Sequence, residues 1–137
     1  MKLEINADRL IKEIQQDFNQ AFPYLKIEFF NKPHGFQQPS NGKRNIAPAT
    51  KIESIGKDDL RGNVEVSEDM TVAELEQNLR KQFGLSIQVF RKSGNIWLET
   101  TMTDNWTLRQ QNEHGREISG VPFGTTFKTP EREDEQL

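Results

Sequence analysis

The stretch NVEVSEDMTVAELEQNLRKQFGLSIQVF, residues 63–90, reads as strand, helix and strand in one run. Val64 and Val66 alternate with polar neighbours, which is the period of a strand with one face buried. Val72, Leu75, Leu79 and Phe83 then recur at helical spacing and form one apolar stripe. Thr71-Val72-Ala73-Glu74 fits a capping box, in which the Thr hydroxyl and the Glu carboxylate each satisfy a free backbone N–H of the first turn. Met70 and Leu75 occupy the two positions of a hydrophobic staple around it. Gly84 supplies the left-handed stop, and alternation resumes at Leu85, Ile87 and Val89.

Residues 2–32 look like a rough copy of residues 63–92. Leu3-Glu4-Ile5 aligns with Val64-Glu65-Val66, and Asp8 falls on Asp69. The series Ile11, Ile14, Phe18, Phe22 falls on Val72, Leu75, Leu79, Phe83. After one inserted residue, Leu25, Ile27, Phe29 and Phe30 fall on Leu85, Ile87, Val89 and Phe90. Asp8 is the expected cap of the first helix, and Pro23 ends it. Beyond the second copy, Ser93-Gly94 predicts a tight turn into a strand from Ile96 to Thr101. The resulting hairpin sets Val89 opposite Leu98 and Phe90 opposite Trp97. Asp104 can cap a short last helix that ends near Gly115.

These ingredients predict an α+β fold. The first arrangement is a duplicated β-α-β, ferredoxin-like, two-layer sandwich with an extra C-terminal hairpin strand. The alternative is a β-grasp, ubiquitin-like fold with N-terminal additions. Residues 1–115 form one domain in either case. Residues 33–61 are a long polar loop, because they hold only five of the 34 Leu, Ile, Val and Phe residues and are broken by Pro33, Gly35, Pro39, Gly42, Pro48 and Gly56. Ile52 and Ile55 could anchor part of it as a short strand. Residues 116–137 read as an irregular, acidic, partly disordered tail.

Composition narrows the function classes. The chain has no cysteine, which excludes disulfides, thiolate catalysis and Cys-based zinc sites. A net charge of −3 argues against a general nucleic-acid binder. The first residues are too polar for a signal peptide, and no apolar run reaches membrane-spanning length, so a cytoplasmic protein without a membrane partner is expected.

The segment from Leu60-Arg61-Gly62 to Glu99-Thr100, with Met70-Thr71-Val72, Phe83-Gly84-Leu85 and Gln88 to Gly94 inside it, resembles a group of small bacterial proteins of Bacteroidetes type. The resemblance covers about a third of the chain. It implies a small cytoplasmic α/β protein and assigns no activity, cofactor or site residue.

Strand alternation predicts an outward sheet face carrying Phe30, Phe90, Trp97, Glu4, Glu65 and Glu99, together with Lys26, Glu28 and Gln88. Three rings exposed together mark a contact surface, unless the loop or tail folds back over them. The carboxylates would repel phosphate and favour a protein partner. A locally basic run of Lys32, Lys43, Arg44, Lys51, Lys57 and Arg61 reads as a solvated loop, or as an arm for an acidic partner. His34 and His114 lack the spacing of a metal pair, although His114 near a helix end would favour the imidazolium. Glu4, Glu28 and Glu65 could hold an oxygen-loving cation only if they converge. No phosphate loop, nucleophile elbow or catalytic triad is present. The expectation is therefore a non-enzymatic interaction module with no metal or cofactor, binding a protein partner or a second copy of itself. A small-metabolite sensor and an enzyme of unrecognised type are the alternatives.

Overall fold

The computed structural model describes residues 1–31, 45–56 and 60–119. Their order is β1 (Lys2–Glu4), α1 (Ile11–Ala21), β2 (Leu25–Phe30), a 3-10 turn (Ile52–Ser54), β3 (Asn63–Glu65), α2 (Val72–Phe83), β4 (Ser86–Ser93), β5 (Ile96–Glu99), a second 3-10 turn (Thr101–Thr103) and α3 (Leu108–Ser119). The α+β class and the added hairpin strand are those expected from the sequence.

The strands are shared between two sheets rather than collected in one. β1 pairs antiparallel with β3, and β2, β4 and β5 form the larger antiparallel sheet in that order. Each strand-helix-strand stretch thus gives its first strand to the small sheet and its second to the large one. Alternation shows which face of a strand is buried, but not which strand lies beside it, so this division was not readable from periodicity.

Between the sheets and helices lies one core. The sheets contribute Leu3, Ile5, Val64, Val66, Leu25, Ile27, Phe29, Ile87 and Val89, and the helices contribute Ile11, Ile14, Phe18, Val72, Leu75, Leu79, Phe83 and Leu108. α2 begins with the expected capping box: Thr71 Oγ1 accepts from Glu74 N at 3.1 Å, and Glu74 Oε1 accepts from Thr71 N at 2.9 Å. It ends on Gly84 at φ 68°. α1 is capped differently from expectation. Leu10, not Asp8, precedes its first turn, and the Glu13 carboxylate accepts from Leu10 N at 2.9 Å. The shift arises because Leu10 and Lys51 form an isolated β-bridge that keeps the chain extended up to the helix.

The described part of the polar insert is tied to the core. Ile46, Ile52 and Leu60 are core residues, and Ile55 packs against them half-buried. Ile52 lies in a 3-10 turn rather than a strand. Its N–H donates to Arg9 O at 2.9 Å, and Ile46 N donates to Phe29 O at 2.8 Å. A few apolar residues suffice here because each buried side chain of this size contributes roughly 1.5–3 kcal/mol. Lys32, His34, Lys43, Arg44 and Lys57 lie outside the described residues, as does the tail from residue 120.

The last helix starts later and runs further than expected. Thr107 caps it, accepting from Gln110 N at 3.1 Å, and the helix passes through Gly115 to Ser119. The folded part therefore extends past the boundary expected at residue 115. Gly115 is buried against the sheet, and a Cβ there would lie 2.9 Å from Tyr24 Cβ and 3.1 Å from Arg91 Cγ. It is an approach point between helix and sheet rather than a stop signal. No helix among the described residues is long and apolar enough to cross a membrane.

Ile52 tests whether the insert belongs to the core. Ile52→Ala is expected to cost about 2–4 kcal/mol in urea unfolding, as for other fully buried isoleucines. A loss below ~0.5 kcal/mol, the range of surface substitutions, would show that the insert is dispensable.

Candidate functional site

The larger sheet has one face under the helices and one turned away from them. In the β2–β4 ladder, Lys26 pairs with Phe90, Glu28 with Gln88 and Phe30 with Ser86 on the outward side. In the β4–β5 ladder, Phe90 pairs with Glu99 and Lys92 with Trp97. This hairpin register differs from the expected one. The turn residues are Gly94 and Asn95, with Gly94 at φ 64°, instead of Ser93 and Gly94. Moving the turn by one residue moves each partner by two, so every side chain keeps its face. Phe90, Trp97 and Glu99 accordingly share the outward face as expected.

The remaining expected site residues are placed elsewhere. Glu4 and Glu65 are exposed on the small sheet, where they pair with Asn63 and Lys2. They do not join Phe90 and Trp97, because their strands belong to a different sheet. Nor do they converge with Glu28; among the described residues no group of three or more His, Asp or Glu could hold a metal ion. Phe30 is on the outward side of β2 but stands four positions along β4 from Phe90, a separation of about 13 Å at strand rise. It is half-buried at the strand end, bridged to Asn45.

Lys26 is the residue that sequence reasoning left without a role. Its Nζ lies 5.1 Å from the Trp97 ring centre and 5.6 Å from that of Phe90, and it pairs with Glu28 Oε2 at 3.2 Å. The lysine stem and ammonium thus shelter the two rings. Alternation carried the signal, since it already set Lys26 on the same face. Beside this cluster, α1 contributes Lys12, Gln15, Gln16 and Asn19 to an open groove of about 330 Å³ that Lys26, Glu28 and Trp97 complete.

The two outer edges of the sheet differ sharply. Along β2, Gln15 Nε2 donates to Ile27 O at 2.8 Å and Asn19 Nδ2 donates to Leu25 O at 2.8 Å. Ile46 N takes Phe29 O, also at 2.8 Å. That edge is closed. β5 forms the other edge. Ser93 and Ile96 close the two-residue turn as a hydrogen-bonded pair, so Ile96 and Leu98 direct their backbone groups toward β4. The N–H and C=O groups of Trp97 and Glu99 therefore point away from the sheet, and no group among the described residues takes them. On the helix side of this edge, Ile96 is 58% and Leu98 39% exposed, and Met102 just beyond the strand is 93% exposed. Strand alternation sets Leu98 on the same face as the buried Val89. Leu98 is uncovered because α3 packs on β4 and β2 rather than over the outer strand.

Under α3, Arg91 forms a half-buried polar cluster. Its NH1 donates to Gln111 Oε1 at 2.7 Å, and Gln111 Nε2 donates to Thr103 O at 2.8 Å. The Arg91 guanidinium lies 5.9 Å from the Trp106 ring centre, and Trp106 meets His114 edge-on at 5.6 Å. Burial pushes the His114 imidazole below its ordinary value, the Arg91 charge lowers it further, and Glu117 opposes both. Because α3 continues past it, His114 is not at the helix end that would have favoured the cation.

A depressed folded-state value means that the unfolded chain binds the proton more readily. The His114 contribution is therefore present above the ordinary imidazole value near 6.5 and is lost as pH falls through the lower folded value. Wild-type stability should fall more steeply than that of His114→Gln between about pH 7 and about pH 5, measured by urea unfolding across that range. Parallel profiles would show that His114 does not titrate differently on folding.

Comparison of this chain with protein-family models, curated proteins and solved structures gives no match, so the functional reading rests on this geometry.

Proposed function

We propose that the chain is a non-enzymatic interaction module that captures an extended polypeptide segment along β5. One observation carries the reading. The strand offers four backbone groups, from Trp97 and Glu99, that no described residue takes, between exposed apolar side chains on one side and an aromatic cluster on the other. Main-chain pairing at such an edge supplies affinity, and side chains on the two faces supply selectivity. Exposed edges are normally blunted, as the β2 edge is here by Gln15 and Asn19. Trp97 is the natural anchor, since a half-buried Trp contributes large rigid area at small entropic cost. Phe90 and Lys26 support it.

Peptides selected from a random library, followed by amide hydrogen exchange, test this reading. Binding should slow exchange at the Trp97 and Glu99 amides and leave Ile96 and Leu98, already bonded to β4, nearly unchanged. Trp97→Ala should weaken binding by roughly tenfold or more, while costing about 1 kcal/mol or less of stability. Unfolding of that variant, or bound peptides that leave both amides unprotected, would defeat the proposal.

The groove between α1 and Trp97 favours a second reading, a sensor of a small flat ligand stacked on the indole. A thermal-shift screen against metabolites should then raise the melting temperature for some compound, with the shift lost in Trp97→Ala. A flat response across a broad panel removes this reading.

A further inference from the structure

We infer that the segment received by β5 is β5 of a second copy of this chain, paired antiparallel about a two-fold axis through Leu98. The inference rests on the reading of β5 as an open edge and names its occupant.

The register follows from the hydrogen-bonding groups. Only Trp97 and Glu99 direct N–H and C=O groups outward. In an isologous antiparallel pair, centring the axis on Leu98 sets Trp97 of each copy against Glu99 of the other, and each such pair exchanges two N–H···O bonds. All eight outward groups of the two strands are then used. Centring on Trp97 would instead set Glu99 against Asn95, which lies in the turn and cannot continue a ladder.

Side chains agree with the same register. On the helix side, the 39% exposed Leu98 meets its symmetry mate across the axis. That is the one place on the strand where an apolar residue faces itself. On the outward side, each row of the joined sheet reads Lys26, Phe90, Glu99, then Trp97 and Lys92 of the partner subunit. Glu99 and Lys92 have no ion-pair partner among the described residues. The two-fold brings the unpaired acid of one copy into the row of the unpaired base of the other, with the indole between them. The joined sheet has six strands, in the order β2-β4-β5-β5-β4-β2, and both of its ends are β2 edges closed by α1. A second copy thus removes the open edge without creating another.

A ladder of three residues from each copy is short compared with the ~800 Å² per partner of stable interfaces, so a weak dimer is expected, with micromolar dissociation. Sedimentation equilibrium of the full chain across micromolar to millimolar concentration is the test. Leu98→Lys and Leu98→Glu each place like charges at the axis on a residue that is already partly exposed. Each should raise the dissociation constant by roughly tenfold or more, with the circular dichroism spectrum unchanged. An equimolar mixture of the two variants should recover association, which a merely structural defect would not do. Wild type should also show Trp97 and Glu99 amide protection that grows with protein concentration. Three results would each overturn the inference: a wild type monomeric at millimolar concentration, a dimer unaffected by both variants, or protection independent of concentration, which would mean occupation by the same chain. If the wild type is monomeric but selected peptides still protect Trp97 and Glu99, the capture reading survives without the dimer. If neither occurs, both fall.

Discussion

Six consecutive residue pairs between β2 and β4, from Leu25 against Arg91 to Phe30 against Ser86, hold the two halves of the chain together. Closing a chain segment this long costs entropy that rises only with the logarithm of its length, so once the first pair forms the remaining ones are gained cheaply. The inward side of the ladder buries Leu25, Ile27 and Phe29 beside Ile87 and Val89. Its outward side places Lys26 next to Phe90 and within reach of Trp97. It also makes β2 and β5 the two edges of the sheet. The core, the aromatic cluster and the open strand are consequences of one register.

Edges differ because their neighbours differ. α1 runs beside β2, and its Gln15 and Asn19 amides reach the carbonyls that a further strand would need. The insert adds Ile46 at the strand end. Among the described residues no comparable element lies beside β5, because α3 packs on β4 and β2. It is held there by Asn112 accepting from Tyr24 N at 2.9 Å, by the close approach at Gly115, and by Ser119 accepting from Gly94 N at 2.6 Å. The same docking leaves Ile96 and Leu98 exposed and Arg91 half-buried. The arginine is left with a Gln111 amide, the Trp106 face and a buried Nε that has no hydrogen-bond partner among the described residues. Burial lowers its pKa, which is the direction expected for a cation removed from water without an opposing charge.

Local signals in the sequence were strong where a single segment carried them. The capping box at Thr71, the stop at Gly84 and the helical stripe of α2 all depend on neighbours within one or two turns, and all are present. The shared face of Phe90, Trp97 and Glu99 was also legible, because alternation survives a shift of the turn. The cap of α1, the role of Gly115 and the burial of Ile46 were not legible for one common reason: each answers to a partner distant in sequence. The extended entry to α1 comes from Lys51, the depth of Gly115 from Tyr24, and the burial of Ile46 and Ile52 from the packing around β2 and α1.

By itself, the order of amino acids determined where strands and helices form and which side of each is apolar, since these follow from backbone geometry acting over a few residues. Tertiary structure alone decided that Glu4 and Glu65 leave the aromatic face for a second sheet, that Lys26 covers the rings, and that β5 becomes the outer strand of the larger sheet. Strand pairing is a long-range choice among surfaces of similar hydrophobicity, and packing of the whole core, rather than any local pattern, selects among them.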